Sequence, residues 1–189
     1  MIELKLWQYI LSQLETGVPV VLLCVLESHG SSPGRQGFKM AVSHDRHIGS
    51  IGGGMMEHKF VDLAKEKLLD EIDNFLVRKQ VHSKSAKVNQ SGMICSGEQT
   101  IYIAPLKTED VDTVRSLVNS LERDIHGTLT ISPIGIQFSA FPIKENFHFE
   151  MKSEEDWIYK EKTGSKNVLH IVGGGHCGLA LSELMSKMD

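Results

Sequence analysis

The chain has 189 residues, of which 41% are hydrophobic and 23% charged, a composition typical of a folded globular protein and not of a disordered one. Its formal net charge of −4 has the wrong sign for a binder of phosphate backbones, so no nucleic acid partner is expected. The longest apolar run, 18–26, includes Pro19 and is far shorter than the roughly 20 residues of a membrane-spanning helix. The composition therefore excludes a nucleic acid binder, and no membrane association is expected.

Hydrophobic periodicity predicts alternating helices and strands. Leu6, Ile10 and Leu14 recur every four residues before Gly17, which predicts an amphipathic helix over 2–16. The following elements are predicted on similar patterns, in chain order: a core strand at 19–28, a hairpin at 39–51, a helix from Gly54 to about Asp73, strands at 75–82 and 93–105 separated by a polar loop at 83–90, a helix at 108–124, an antiparallel meander at 128–159, a linker at 160–166, a strand at 167–172 and a helix at 179–188.

This order of elements predicts the α/β class and two domains. Residues 1–162 form a mixed-sheet N-terminal domain, and residues 166–189 form the first strand-turn-helix unit of a Rossmann-like domain. In that unit Gly173, Gly175 and Gly178 satisfy G-x-G-x-x-G, a turn whose amides face the phosphates of a dinucleotide. The second strand and the acidic ribose-binding residue about 20 positions on are not in the sequence. NAD(P) or FAD binding at an incomplete site and a purely structural turn both stay open.

A second group of glycines lies between residues 30 and 54. Gly30, Ser31 and Ser32 are followed by Arg35 and Lys39, so amides, hydroxyls and cations share a backbone that is free to take positive φ. This pattern suits an anionic ligand, and hairpin turns are the alternative.

The same group continues at the start of the second predicted helix. Gly52, Gly53 and Gly54 bring backbone amides together there, and Glu57 follows in the first turn. A carboxylate is favoured at that position by the helix dipole, whether or not it contacts a ligand.

The three cysteines, Cys24, Cys95 and Cys177, are too few for a disulfide scaffold and indicate a reducing cytoplasm. Cys95 lies among small residues that favour an exposed sulfur, able to act as a nucleophile or a soft metal ligand. Cys24 lies in the predicted core strand and is expected to act as a small hydrophobe. No zinc-ligand spacing and no G-x-S-x-G elbow occurs in the sequence, so neither a zinc site nor a hydrolase is expected.

Four segments, in this order and spacing, resemble the XdhC/CoxI family of xanthine dehydrogenase accessory proteins: GSSPGRQGFKM at 30–40, GSIGGGMMEHKF at 49–60, SGMICSGEQTIYI at 91–103 and NVLHIVGGGHCGLAL at 167–181. The resemblance implies a cytoplasmic maturation chaperone of purine metabolism, with an α/β domain followed by a Rossmann-like one. Such a protein binds the molybdenum cofactor (molybdopterin), protects it during sulfuration and inserts it into an apo molybdoenzyme of the xanthine dehydrogenase type. A cysteine desulfurase is a further implied partner, and the resemblance favours an accessory protein over a turnover enzyme.

The resemblance also implies site residues. The family's positions fall on Gly30, Ser31 and Ser32, on Lys39, on the run 51–54, on Glu57 and on Cys95, the last as a ligand of the cofactor's metal. The sequence departs from the family pattern at two places: Ser96 stands where a glycine usually follows the cysteine, and Gly34 stands where an arginine is frequent, with Arg35 one position later.

Two other functions stay open from the sequence. One is an oxidoreductase subunit that uses NAD(P) or FAD at the G-x-G-x-x-G turn, and the other is a non-catalytic module that docks onto a molybdoenzyme. A homodimer is expected, because the edge of the strand predicted at 167–172 needs cover.

Overall fold

The computed structural model describes residues 2–70, 74–81, 97–164 and 169–186. Its helices are α1 (Ile2–Glu15), α2 (Gly54–Leu69), α3 (Val111–Glu122) and α4 (His176–Met185), with a short 3-10 turn at Thr108–Asp110 before α3. Its strands are β1 (Val20–Gly30), β2 (Lys39–Val42), β3 (His47–Gly49), β4 (Leu76–Val81), β5 (Gly97–Leu106), β6 (Gly127–Ser132), β7 (Gly135–Ser139), β8 (Phe147–Met151) and β9 (Trp157–Thr163). The helix predicted at 2–16, the core strand, the hairpin and the helix that begins at Gly54 are confirmed, and the loop predicted at 83–90 lies outside the described residues.

Within the described ranges the strands form two sheets, in the orders β3-β2-β1-β5-β4 and β7-β6-β9-β8. The α/β class is confirmed, but every strand pair described is antiparallel, so the sheets are not mixed. The meander predicted at 128–159 is wrong in its order, since β6 pairs with β9 and Leu129 lies opposite Glu161. Two hairpins, β6-β7 and β8-β9, therefore join through β6 and β9 and do not follow one another across the sheet.

The linker predicted at 160–166 is also wrong over its first part, because residues 160–163 belong to β9. Side chains in β9 alternate between buried and half-buried, and Glu161 and Thr163 are fully buried. A charged stretch that is typical of a linker is here a core strand, since its inward carboxylate has a buried cationic partner. The predicted domain boundary, between residues 162 and 166, stays a prediction.

The strand predicted at 167–172 does not form over its described part. Residues 169–172 have no strand structure, Leu169 is 53% exposed and Val172 is 99% exposed. No described strand pairs with this segment, and an isolated strand leaves its backbone hydrogen bonds unmade. The helix that follows is confirmed as α4, which begins at His176.

Strand β1 separates the two parts of the core. Val21, Leu23 and Val25 face α2 on one side of the sheet. Alternate residues such as Leu22 and Cys24 face α1, α3 and the second sheet on the other side. Both sets are fully buried, which explains why the sequence of β1 is a continuous apolar run. Among the described residues, no helix combines the length and apolar character needed to cross a membrane.

Candidate functional site

Three segments of the chain meet at one end of the strands of the first sheet. They are residues 30–38, from the end of β1 onward, residues 49–57, from the end of β3 through the first turn of α2, and residues 97–99 at the start of β5. Together we call them the three-loop site. A Cβ atom on Gly34 would lie 2.1 Å from the Ile51 carbonyl oxygen, and one on Gly97 would lie 2.4 Å from the Ser32 nitrogen. The backbones are therefore in direct contact, which glycine alone permits at these positions. The fold therefore brings together the first two of the four sequence motifs and the part of the third motif that begins β5.

Ser32 has a structural position inside the three-loop site. Its side chain is buried, and its hydroxyl donates to Gln99 Oε1 over 2.7 Å. Gln99 in turn donates from its amide nitrogen to Met56 Sδ over 3.3 Å. This chain of hydrogen bonds joins the 30–38 loop to β5 and to α2. Gln99 was not predicted, because a single polar residue in a strand carries no sequence signal of this role.

Glu57 accepts hydrogen bonds from the backbone amides that were expected, from the sequence, to bind an anionic ligand. Its Oε2 atom accepts hydrogen bonds from the Ile51 amide (3.0 Å), the Gly53 amide (2.8 Å) and the Ser50 hydroxyl (2.7 Å). Burial raises the pKa of Glu57, but these hydrogen bonds outweigh burial and hold its pKa below the ordinary 4.5. Gly52 and Gly54 have φ angles of 129° and 74°, which a residue with a Cβ rarely adopts. The glycine loop is thus closed around the protein's own carboxylate.

Ser31 and Arg35 are the predicted polar residues of the 30–38 loop whose side chains are exposed. Arg35 Nη1 donates to the Gly30 carbonyl oxygen over 3.4 Å, a long and therefore weak hydrogen bond. Gly30 itself has a φ of 62° and pairs with Gly97 at the end of the β1-β5 ladder. The Ser31 hydroxyl and the Arg35 guanidinium can therefore bind an anionic group without first breaking a strong hydrogen bond.

Lys39 lies in the protein interior. Its ammonium is 2.5 Å from Glu161 Oε2, 2.9 Å from the Gly37 carbonyl oxygen and 3.9 Å from Glu3 Oε1. Burial alone would lower the pKa of Lys39, but the charges of Glu161 and Glu3 outweigh it and raise the pKa well above its usual value. Tyr159 also donates to Glu161 Oε2, over 2.9 Å. Sequence reasoning missed this cluster, because it placed Glu161 in a linker.

The remaining predicted site residues are the glycines of the turn before α4 and Cys95. In the glycine turn before α4, Gly173 has a φ of 122°, and a Cβ on Gly178 would lie 2.6 Å from the Gly173 carbonyl oxygen. Gly175 has open space beside it, and Cys177 is exposed. Cys95 and Ser96 lie outside the described residues. Among the residues that are described, no three His, Cys, Asp or Glu side chains are grouped as a metal site.

The fold and the three-loop site define an α/β protein whose glycine loops lie together at one end of the strands of its first sheet. Residues 13–78 match the model of the XdhC and CoxI family, and this range includes the 30–38 and 49–57 segments. The resemblance to the XdhC/CoxI family is therefore confirmed over these residues.

The fold also matches a crystal structure of a xanthine dehydrogenase from Bacillus halodurans. The two chains are 16% identical, the TM-score is 0.62, and the match covers 88% of this chain and 54% of the other. The chain thus corresponds to about half the length of that protein, and the likeness shows a shared fold. No curated protein matches the sequence.

Proposed function

We propose that the chain is an accessory protein of a molybdoenzyme of the xanthine dehydrogenase type, and that its three-loop site binds the molybdenum cofactor. The observation that carries the proposal is the direct backbone contact among the three loops, at Gly34, Gly52 and Gly97. The family match over residues 13–78 supports it. Insertion of the cofactor into an apoenzyme and contact with a cysteine desulfurase belong to the same proposal.

One part of the three-loop site has groups available to bind the phosphate of molybdopterin, and another part does not. Arg35 and Ser31 are exposed and carry a cation and a hydroxyl, the groups that bind phosphate. The amides of Ile51 and Gly53 do not fit, because Glu57 already accepts their hydrogen bonds. When bound, the cofactor supplies a metal held by a dithiolene, for which a thiolate such as that of Cys95 is a suitable soft ligand.

The test is the amount of molybdopterin and molybdenum that co-purifies with the chain from a host that makes the cofactor. We expect Arg35→Ala to retain about tenfold less molybdopterin, since a charged hydrogen bond contributes roughly 1.5–3 kcal/mol. Arg35→Lys should retain an intermediate amount, because lysine keeps the charge but loses the planar fork. Cys95→Ala should lower the molybdenum content relative to molybdopterin.

Arg123→Ala is the matched control, because Arg123 is also an exposed arginine and lies at the end of α3. Equal retention by the Arg35 and Arg123 variants would contradict the proposed phosphate contact. Addition of NAD⁺, NADP⁺ and FAD to the same preparation tests the oxidoreductase alternative. Saturable stabilisation by a dinucleotide, without retained molybdopterin, would favour that alternative over the accessory role.

A further inference from the structure

Strand β7 is an open edge of the second sheet. It comes first in the order β7-β6-β9-β8, so no described strand pairs with its outer side. Its hairpin with β6 closes at the pair Ser132–Gly135. Such a closing pair exchanges hydrogen bonds, and bonded and non-bonded pairs then alternate along the strands. The amides and carbonyls of Ile136 and Phe138 therefore point away from β6, and no backbone hydrogen bond reaches them from the described residues.

The sequence of β7 does not protect this edge. Edge strands of natural proteins commonly carry charged side chains or proline, which prevent pairing with another chain. The other three edge strands of the described sheets have titratable side chains: His47 on β3, Arg78 and Lys79 on β4, and His148 and Glu150 on β8. Strand β7, with the sequence GIQFS, has neither a titratable residue nor a proline. Its edge is therefore open to pairing with a further strand.

A groove of about 370 Å³ lies beside this edge, between β7 and α3. The helix lines it with four small or polar residues: Ser116, Asn119, Ser120 and Arg123. These positions follow one another at i, i+3, i+4 and i+7, so they share one face of α3. Phe138 of β7 lines the groove from the other side, and Ile125, which is 46% exposed, also borders it.

The opposite side of α3 is already covered by α1. Arg115 of α3 forms an ion pair with Glu15 over 3.1 Å, and Gln8 Nε2 donates to Glu122 Oε1 over 2.8 Å. No described residue of another helix lines the groove. An open strand edge and an open helix face therefore lie next to each other on one side of the second sheet.

The charges on the open face of α3 indicate what covers it. Asp112 lies in the first turn of α3, with a side chain that is 94% exposed, and Arg123 is exposed at the C-terminal end. The two residues are 11 positions apart, or about three helical turns, so they lie on the same face. An antiparallel copy of α3 would bring Asp112 against Arg123 at both ends. The face is therefore complementary in charge to itself.

We propose that this side of the protein is a homodimer interface, in which β7 pairs antiparallel with β7 of a second copy and α3 packs along α3 of that copy. A two-fold axis at Gln137 places Ile136 opposite Phe138 of the second copy, so the outward backbone groups of both strands form hydrogen bonds. The two four-stranded sheets become continuous, and a contact of this symmetry closes as a dimer. The homodimer expected from the sequence used a strand at 167–172, whereas β7 is a formed edge.

The test is sedimentation of the full chain over a range of protein concentrations, for which we expect a reversible dimer. Gln137→Lys would place two ammonium groups opposite each other at the two-fold axis, and we expect the dissociation constant to rise about tenfold or more. Gln137 is exposed, so the variant should keep the urea midpoint of the unaltered chain. His148→Lys, at an exposed position on the other edge strand β8, is the matched control and should leave the dimer unchanged.

Charge reversal tests the packing of the two α3 helices. Asp112→Lys and Arg123→Asp should each weaken the dimer several-fold, because each variant puts like charges together at both ends of the helix pair. The double variant should restore the dimer, since it forms the same two ion pairs with their signs exchanged. Loss of helix stability alone would not be repaired by the second substitution.

The proposal is overturned if the chain stays monomeric at every concentration, or if a dimer forms that neither Gln137→Lys nor the charge reversals weaken. A monomer that binds an apo molybdoenzyme through this edge, and loses that binding with Gln137→Lys, would assign the edge to the enzyme and overturn the homodimer. The interface shares no residue with the three-loop site, so the homodimer and the cofactor proposal can fail separately. Arg123→Ala therefore leaves the cofactor site intact and remains a suitable control for Arg35→Ala.

Discussion

Gly34 controls how closely two loops of the three-loop site approach each other. Its φ is not in the left-handed region, but an added Cβ would meet the Ile51 carbonyl oxygen at 2.1 Å. Because that neighbour is backbone, Gly34→Ala must push the loops apart, and we expect a loss of about 3 kcal/mol in the free energy of unfolding. Urea denaturation of the two chains measures this difference.

Gly174→Ala is the matched comparison for this substitution. Gly174 also lacks a left-handed φ, and it has open space where a Cβ would stand, so we expect a change within about 0.5 kcal/mol. Similar effects of the two alanines would mean that the contact between the loops does not constrain the fold.

Glu57 makes the stability of the chain depend on pH. Its pKa in the folded protein is held below 4.5, so its contribution is complete above that value and is lost as the pH falls through the folded pKa. We expect Glu57→Gln to cost about 1–3 kcal/mol at neutral pH, because three donors lose a charged acceptor. The difference between the two proteins should shrink in acid.

Urea denaturation at several pH values between about 7 and about 3.5 measures this difference. Glu66→Gln, at an exposed position on the same helix α2, serves as the control. A Glu57→Gln effect that persists unchanged at the acid end would show that packing, and not the carboxylate charge, holds the glycine loop.

Sequence reasoning located the residues of the three-loop site better than their roles. The motif pattern identified Glu57, Ser32 and Lys39, and all three lie in or beside the site. Each, however, has an internal partner: backbone amides for Glu57, Gln99 for Ser32 and Glu161 for Lys39. Two of these partners are 67 and 122 positions distant, and no local pattern contains such pairings.

At the scale of elements, a buried ion pair joins the two sheets. Lys39 lies on β2 of the first sheet and Glu161 on β9 of the second. Lys39→Met would leave the Glu161 carboxylate buried without its cation, and we expect a loss of about 3–5 kcal/mol in the free energy of unfolding. A Lys39→Met/Glu161→Gln double variant should regain part of that loss, since it removes the isolated charge.

A double-mutant cycle with both single variants measures the coupling between the two residues. Additive losses would show that the pair does not act as a unit. Tyr102 on β5 and Trp157 on β9 also contact each other, with ring centroids 5.7 Å apart. Because this aromatic contact does not involve the ion pair, we expect it to keep the two sheets together in every variant of the cycle. The measured coupling should then belong to the ion pair alone.

Elements with a strong local period could be predicted, and elements defined by distant partners could not. The apolar run of β1 and the regular spacing of α1 and α3 were predicted close to their observed positions. The charged sequence of β9 did not predict a central strand, because its inward Glu161 is buried only by pairing with Lys39 from the other sheet. The reverse holds at 169–172, where an apolar sequence has no described strand to pair with.

At the scale of the whole molecule, the core and the C-terminal segment differ in burial. Every buried hydrophobic residue described lies between Leu6 and Tyr159, and no described residue of 169–186 is buried. Leu179 and Leu184 on α4 are 61% and 57% exposed. The stability of the described chain therefore comes from the two sheets and from α1, α2 and α3.

This distribution predicts that a chain ending at Gly164 keeps the fold. We expect its free energy of unfolding in urea to lie within about 1 kcal/mol of the full chain, because exposed side chains contribute little to stability. A chain ending at Asp156 is the comparison, since it also loses β9 with the buried Trp157, Tyr159 and Glu161 and leaves Lys39 buried without its partner. That chain should not fold cooperatively. A large loss of stability on ending at Gly164 would instead show that the C-terminal segment packs against the two sheets.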